Sequence, residues 1–124
     1  MTKTELLEIA KQAKENAYAP YSKFQVGAAV LTKTGEVFTG CNIENSSYGG
    51  TICAERTAIG NAVSGGHVDL EMIAIASSGE QTVYPCGICR QVMNEFNQSM
   101  IILCESETGF EEYTLPELLP KGFN

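Results

Sequence analysis

Three cysteines constrain this chain more than anything else in it. Cys53 lies in Thr51-Ile52-Cys53-Ala54-Glu55-Arg56; Cys86 and Cys89 lie in Pro85-Cys86-Gly87-Ile88-Cys89-Arg90-Gln91. Three thiolates make an incomplete tetrahedron around a metal that accepts sulfur. Structural zinc sites close all four positions with protein ligands, whereas catalytic sites keep one for water. Cys86 and Cys89 are three apart and share a helical face, but Cys53 and Glu55 are two apart and do not. Glu55 therefore suits a place beside a metal-bound water better than the fourth coordination position. Any fold this chain adopts must bring the segment at Cys53 to the segment at Cys86.

The rest of the composition is permissive. The chain has 124 residues, a one-domain length, so residues 1–124 are read as a single unit. Hydrophobic residues make up 44%, enough for a core without disulfides. Five cysteines cannot all pair within one chain. Cys41 and Cys104, outside the proposed metal set, sit in strand-like stretches and read as buried free thiols. Eight basic against fifteen acidic residues give a net charge of −7, which argues against a nucleic-acid partner. No apolar run is long enough to span a membrane. The polar N-terminus lacks an apolar signal region. Together these point to a cytoplasmic protein with reduced thiols.

Thr2-x-x-Glu5 reads as a capping box opening a helix, with Leu6, Ala10, Ala13 and Ala17 at helical spacing and Pro20 as its boundary. Phe24–Thr32 and Val37–Glu44 read as an antiparallel hairpin turned at Gly35. Asn42 and Glu44 then project from one strand face, placed to hold a hydroxyl-bearing ligand, or simply as a polar strand end. Thr51 reads as the N-cap of a helix running from Ile52 to about Val63, which puts Cys53 in its first turn. Glu71–Ser77 is apolar enough for a strand buried on both faces. Pro85 suits the first position of the next helix, which continues through Phe96. Met100–Cys104 and Glu111–Leu115 read as further strands, and Pro116–Leu119 as a helical turn. His67, the only histidine, sits in Gly-Gly-His-Val-Asp and reads as a solvated connection. The alternation predicts one mixed sheet with helices on its faces, an α/β chain. It leaves the strand order open.

Cys-Ala-Glu followed about thirty residues later by Pro-Cys-x-x-Cys is the signature of the zinc deaminases. The chain closely resembles the small homo-oligomeric cytidine deaminases in which a cysteine replaces the first histidine ligand. The resemblance includes Ala17-Tyr18-Ala19-Pro20-Tyr21-Ser22-Lys23-Phe24-Gln25-Val26-Gly27-Ala28-Ala29, then Gly40-Cys41-Asn42-Ile43-Glu44-Asn45, both cysteine segments, and Glu117-Leu118-Leu119-Pro120. It implies a three-layer α/β/α fold with a mixed five-stranded sheet. It also implies hydrolysis of cytidine and 2'-deoxycytidine to uridine and 2'-deoxyuridine plus ammonia, as in pyrimidine salvage. The cofactor implied is one Zn²⁺ per chain, on Cys53, Cys86 and Cys89, with Glu55 as proton shuttle. By the same resemblance Phe24 packs on the pyrimidine, Ala54 offers its backbone to the base carbonyl, and Asn42 and Glu44 bind the ribose. Tyr48 and Phe123 come from a neighbouring subunit of a homotetramer.

Three thiolates and Zn²⁺ sum to one net negative charge, which weakens the pull on a bound water. Arg56, one turn after Cys53, and Arg90, next to Cys89, are the only arginines. With two helix N-termini they are placed to offset that charge. The plainer alternative is that each pairs with an ordinary surface acid. Rival functions are a deaminase of another aminopyrimidine nucleoside, such as a blasticidin-type enzyme, a polynucleotide deaminase, a structural zinc module, and a thiol–disulfide protein using Cys86 and Cys89 alone. The charge disfavours the polynucleotide. A structural module would be expected to show two CxxC pairs. The redox reading leaves Cys53 and Glu55 unexplained.

Overall fold

The computed structural model describes residues 1–124. Helix α1 (Lys3–Lys14) opens on the expected capping box: Glu5 N–H donates to Thr2 Oγ1 at 3.1 Å, and Thr2 N–H to the Glu5 carboxylate at 2.9 Å. It stops at Lys14, short of Ala17. The reason lies in the next residues, because Tyr18 leaves the helix to bridge Ile43, donating its N–H to Asn42 O and accepting from Glu44 N–H.

Strand β1 (Val26–Thr32) and strand β2 (Val37–Cys41) form the expected antiparallel hairpin, with Gly35 at φ +95° in its turn. Both strands are shorter than the sequence suggests. Asn42 explains this: its Oδ1 accepts from Val26 N–H at 2.9 Å and its Nδ2 donates to Phe24 O at 2.8 Å. A side-chain amide here takes over from the backbone ladder. One 3-10 turn at Tyr48–Gly50 leads to α2 (Ala54–Ser64), then β3 (Leu70–Ser77), α3 (Gly87–Phe96), β4 (Ile101–Ser106), β5 (Gly109–Thr114) and α4 (Leu115–Leu118).

The five strands form one sheet in the order β2-β1-β3-β4-β5. β1 is antiparallel to both β2 and β3, β3 is parallel to β4, and β4 is antiparallel to β5. β2 and β3 therefore run the same way on either side of β1. Each is followed by a helix, so α2 and α3 both begin at the same end of the sheet. Ligand sites of open α/β sheets form there, outside the carboxyl ends of strands. The sheet topology thus meets the demand that three separated cysteines converge.

The strands obey a period of two. Val30, Ile73, Ile75 and Ile102 face a core shared with Ile59 of α2 and Met93 of α3, while Ala29, Leu31, Met72, Ala74 and Leu103 face Leu6, Leu7 and Ala10 of α1. Each large side chain so buried contributes roughly 1.5–3 kcal/mol relative to its exposed state. Gly40 sets the seating of α2: a Cβ there would lie 2.3 Å from Ala58 N, so only glycine lets the helix backbone lie directly on β2. Cys104 is fully buried, as expected. Cys41 is only half-buried, because it closes an edge strand. No helix is long and apolar enough to cross a membrane.

Candidate active site

Cys53 and Cys86 are the N-cap residues of α2 and α3, both with extended backbone. This differs from the sequence reading, which caps α2 with Thr51 and starts α3 at Pro85. Ile52 is held out of α2 by paired backbone hydrogen bonds to Ile43, each 2.9 Å, and Pro85 is buried just ahead of α3. Neither N-cap cysteine spends its sulfur on capping. Cys89, in the first turn of α3, is fully buried.

The three sulfurs lie within 4.8 Å of one another, with Cys53 Sγ and Cys86 Sγ 3.9 Å apart. A tetrahedral zinc with Zn–S of about 2.3 Å requires S···S of about 3.8 Å. The thiol set therefore fits zinc, as one closed face of a tetrahedron. It is also the one group of histidine, cysteine and acidic side chains close enough to share a metal. His67 takes no part. It is half-buried rather than solvated, with its ring 5.2 Å from that of Phe38 and its Nδ1 3.7 Å from the Glu36 carboxylate.

The hydrogen bond from Cys89, and then Arg56, hold the Cys53 thiol well below the ordinary range. Cys89 is pushed far up by its hydrogen bond to Cys53 and by burial. Arg56 Nη2 approaches Cys53 Sγ at 3.6 Å and Thr51 O at 3.5 Å, while its buried Nε has no partner. Arg90 is employed differently: Nε donates to Pro85 O at 2.6 Å and Nη1 to Leu118 O at 2.7 Å.

A cavity of about 280 Å³ opens beside the sulfurs. Phe24, Asn42, Glu44, Ala54, Glu55, Cys53 and Cys86 all line it, although the sequence scatters them over more than sixty positions. Glu55 is 4% exposed, and burial pushes its carboxyl up to about 7. A carboxyl poised there can both accept and give a proton near neutrality. Glu44 is the opposite case. It accepts hydrogen bonds from Ser22 Oγ and from the N–H groups of Tyr21 and Ser22, which lower its carboxyl below the usual range. Asn42 is committed to the Phe24 carbonyl and the Val26 N–H, so it ties down the chain after the aromatic as well as lining the cavity.

Tyr48 and Phe123 do not reach this cavity. Each is 77% exposed; Tyr48 packs edge to face against Tyr21, and the Phe123 carbonyl accepts from Asn94 and Gln91. Five further lining residues escaped the sequence reading of the site: Ser22, Val26, Thr51, Val83 and Tyr84. The available signal for Tyr84 was an aromatic two residues before a ligand cysteine.

Residues 1–105 match the family model described as the cytidine and deoxycytidylate deaminase zinc-binding region. A cytidine deaminase of Halalkalibacterium halodurans is 48% identical over 99% of this chain and 95% of its own. A blasticidin-S deaminase of Bacillus cereus is 36% identical over 94% of this chain and 88% of its own. Among solved structures, a cytidine deaminase from Burkholderia pseudomallei superposes with a TM-score of 0.94 at 43% identity, over 99% of this chain and 100% of that one.

Proposed function

Since the chain belongs to the cytidine and deoxycytidylate deaminase family, we propose that it hydrolyses cytidine and 2'-deoxycytidine to uridine and 2'-deoxyuridine, releasing ammonia. The observation that carries this reading is a buried carboxyl, Glu55, in one cavity with three converging sulfurs. Cys53, Cys86 and Cys89 are the residues that would hold zinc. Zinc, when bound, makes water nucleophilic near neutral pH by lowering its pKa to about 7.

Glu55 takes a proton from the water that adds to carbon 4 of the cytosine ring and passes it to ring nitrogen 3. The carbon–nitrogen bond to the amine then breaks. Glu55 supplies the departing group with the second water proton, so that ammonia leaves and a carbonyl remains. Phe24 packs on the pyrimidine, and the Ala54 backbone meets the base carbonyl. The ionised Glu44 and Asn42 accept and donate to ribose hydroxyls. The cavity walls carry two carboxylates and no lysine or arginine, which favours an uncharged nucleoside over a nucleotide. Arg56 offsets thiolate charge at the sulfurs, whereas Arg90 is spent on the Pro85 and Leu118 carbonyls.

Tyr48 and Phe123, exposed in the single chain, complete the cavity of an adjoining subunit in a homotetramer. The enzyme works in the cytoplasm, in pyrimidine salvage. The test is loss of ultraviolet absorbance from cytidine, with zinc measured on the same sample. Turnover with about one zinc per chain supports the reading. Zinc without turnover on cytidine, but with turnover on blasticidin S, replaces the substrate and keeps the chemistry. Zinc-free protein with a reversible Cys86–Cys89 disulfide overturns it.

A further inference from the structure

The segment from Gly79 to Tyr84 joins β3 to the ligand-bearing start of α3, and it forms one wall of the cavity through Val83 and Tyr84. Its ends are fixed independently. Before it, Ser78 exchanges hydrogen bonds with the backbone of Gln25, N–H to Gln25 O at 2.9 Å and Gln25 N–H to Ser78 Oγ at 3.0 Å. After it, Arg90 holds Pro85 O. Between these points residues 79–84 make only two hydrogen bonds, and both end on one carboxylate. Tyr84 Oη donates to Glu111 Oε1 at 2.7 Å, and Thr82 Oγ1 reaches Glu111 Oε2 at 3.4 Å.

Glu111 lies on β5, the far edge strand, and is not part of the cavity wall. Its position is firm, because β5 is laddered to β4 with Glu111 opposite Cys104. Tyr113, two residues along the same strand face, donates its own hydroxyl to Glu111 Oε1 at 2.5 Å. The rings of Tyr84 and Tyr113 also meet edge to face, with centroids 5.9 Å apart at 69°. Such a contact contributes about 0.5–1.5 kcal/mol beyond its area. The loop also bears on the pocket's aromatic, because a Cβ on Gly79 would lie 2.7 Å from Phe24 Cε1.

We propose that Glu111 is a positioning residue for substrate: its carboxylate, anchored on the edge strand, holds the phenol of Tyr84 and so fixes the wall of the nucleoside cavity. The division of labour with Arg90 sharpens this. Arg90 fixes the metal side of the loop, and Glu111 fixes the substrate side. Loss of Glu111 therefore loosens binding without disturbing the sulfurs or Glu55. The inference rests on the deaminase reading above for its kinetic consequence, but its structural content is separable.

The experiment compares wild type with Glu111→Ala, Glu111→Gln, Tyr84→Phe and the Glu111→Ala/Tyr84→Phe double variant, all zinc-loaded. KM and kcat for cytidine, zinc per chain and melting temperature are measured on each. Glu111→Ala raises KM about five- to tenfold, with kcat within about twofold and zinc unchanged. Glu111→Gln, which keeps an acceptor oxygen, recovers most of that loss. The double variant is no worse than Glu111→Ala alone, since two changes that break one contact do not add. An unchanged KM in Glu111→Ala overturns the proposal, as does a fall in kcat that tracks loss of zinc. So does a lowered melting temperature with intact KM, which is the mark of a merely structural residue.

If Glu111→Ala does not fold, Glu111→Gln and Tyr84→Phe carry the same comparison. A second readout does not need turnover. In zinc-loaded protein with 13C-labelled tyrosine, the Tyr84 ring signal shifts and sharpens in Glu111→Ala, and an unmoved signal overturns the proposal. Wild-type protein inactive on cytidine defeats the functional reading, and the tyrosine signal still decides the role of Glu111.

Discussion

The starts of α2 and α3 are built from the same opening and put to different uses. Each begins with an N-cap cysteine whose sulfur is free for metal. Two residues on, α2 carries Glu55, 4% exposed and facing the cavity, whereas α3 carries Ile88, 62% exposed. Three residues on, α2 carries Arg56, whose guanidinium reaches the Cys53 sulfur, whereas α3 carries the fully buried Cys89. One helix start lines the cavity with the acid and brings the positive charge. The other leaves Ile88 in solvent and brings the second and third sulfurs, Cys86 at the cavity and Cys89 in the interior. Equivalent backbone positions thus acquire their roles from what each helix packs against.

The sharpest way to break that comparison is to remove the acid. Glu55→Ala keeps zinc and loses at least about a thousandfold in kcat, the upper part of the range for general acid–base catalysis. Ile88→Ala, at the matching place on α3, changes kcat less than about threefold. Metal analysis and steady-state kinetics on both proteins check the pair. A Glu55→Ala enzyme within tenfold of wild type would sink the assignment of the acid to α2.

The thiols offer a second contrast, in zinc-stripped protein. Cys53 is held low by its hydrogen bond from Cys89 and by Arg56, while Cys89 is held high by the same bond and by burial. A lowered pKa means the thiolate is present above that pKa and lost as pH falls through it. Cys53 therefore alkylates readily with iodoacetamide at pH values well below the ordinary thiol range, and Cys89 resists. The expected rate ratio at pH 7 is on the order of a hundredfold, because the thiolate is the nucleophile. Peptide mapping by mass spectrometry reads it, and Cys89 labelling first would reverse the two roles. Zinc loading abolishes labelling at both.

Much of this site could be read directly in the sequence because its chemistry is local. The cysteine and glutamate spacings, the capping box at Thr2, the hairpin at Gly35 and the apolar run of β3 are all set by residues within a few positions. What was not legible depends on partners far away in the chain. Asn42 shortens two strands only because Phe24 and Val26 lie beside it. Ile52 stays out of α2 only because Ile43 pairs with it. The strand order, which makes α2 and α3 start together, follows from β1 lying between β2 and β3, and no local pattern encodes that. Arg56 and Arg90 illustrate the limit best. Each follows the N-cap cysteine of its helix by about one turn, yet one reaches a sulfur and the other two backbone carbonyls.

That last difference yields the smallest and most discriminating prediction. Arg56→Gln removes positive charge next to the Cys53 sulfur, and kcat/KM falls about tenfold, equivalent to about 1.4 kcal/mol. Zinc affinity falls with it, while the melting temperature of the zinc-stripped protein changes little. Arg90→Gln removes two charge-assisted hydrogen bonds to Pro85 O and Leu118 O, costing about 2 kcal/mol in stability. The melting temperature falls several degrees, and kcat/KM of the folded enzyme stays within about threefold. Chelator competition for zinc and thermal unfolding on the same two proteins separate the cases. If Arg90→Gln instead lowers zinc affinity as much as Arg56→Gln, the two arginines act together on the metal charge, and the division between the helix starts fails at this position. If Arg56→Gln lowers only the melting temperature, its contact with sulfur is a packing contact, and the charge balance must come from the helix N-termini alone.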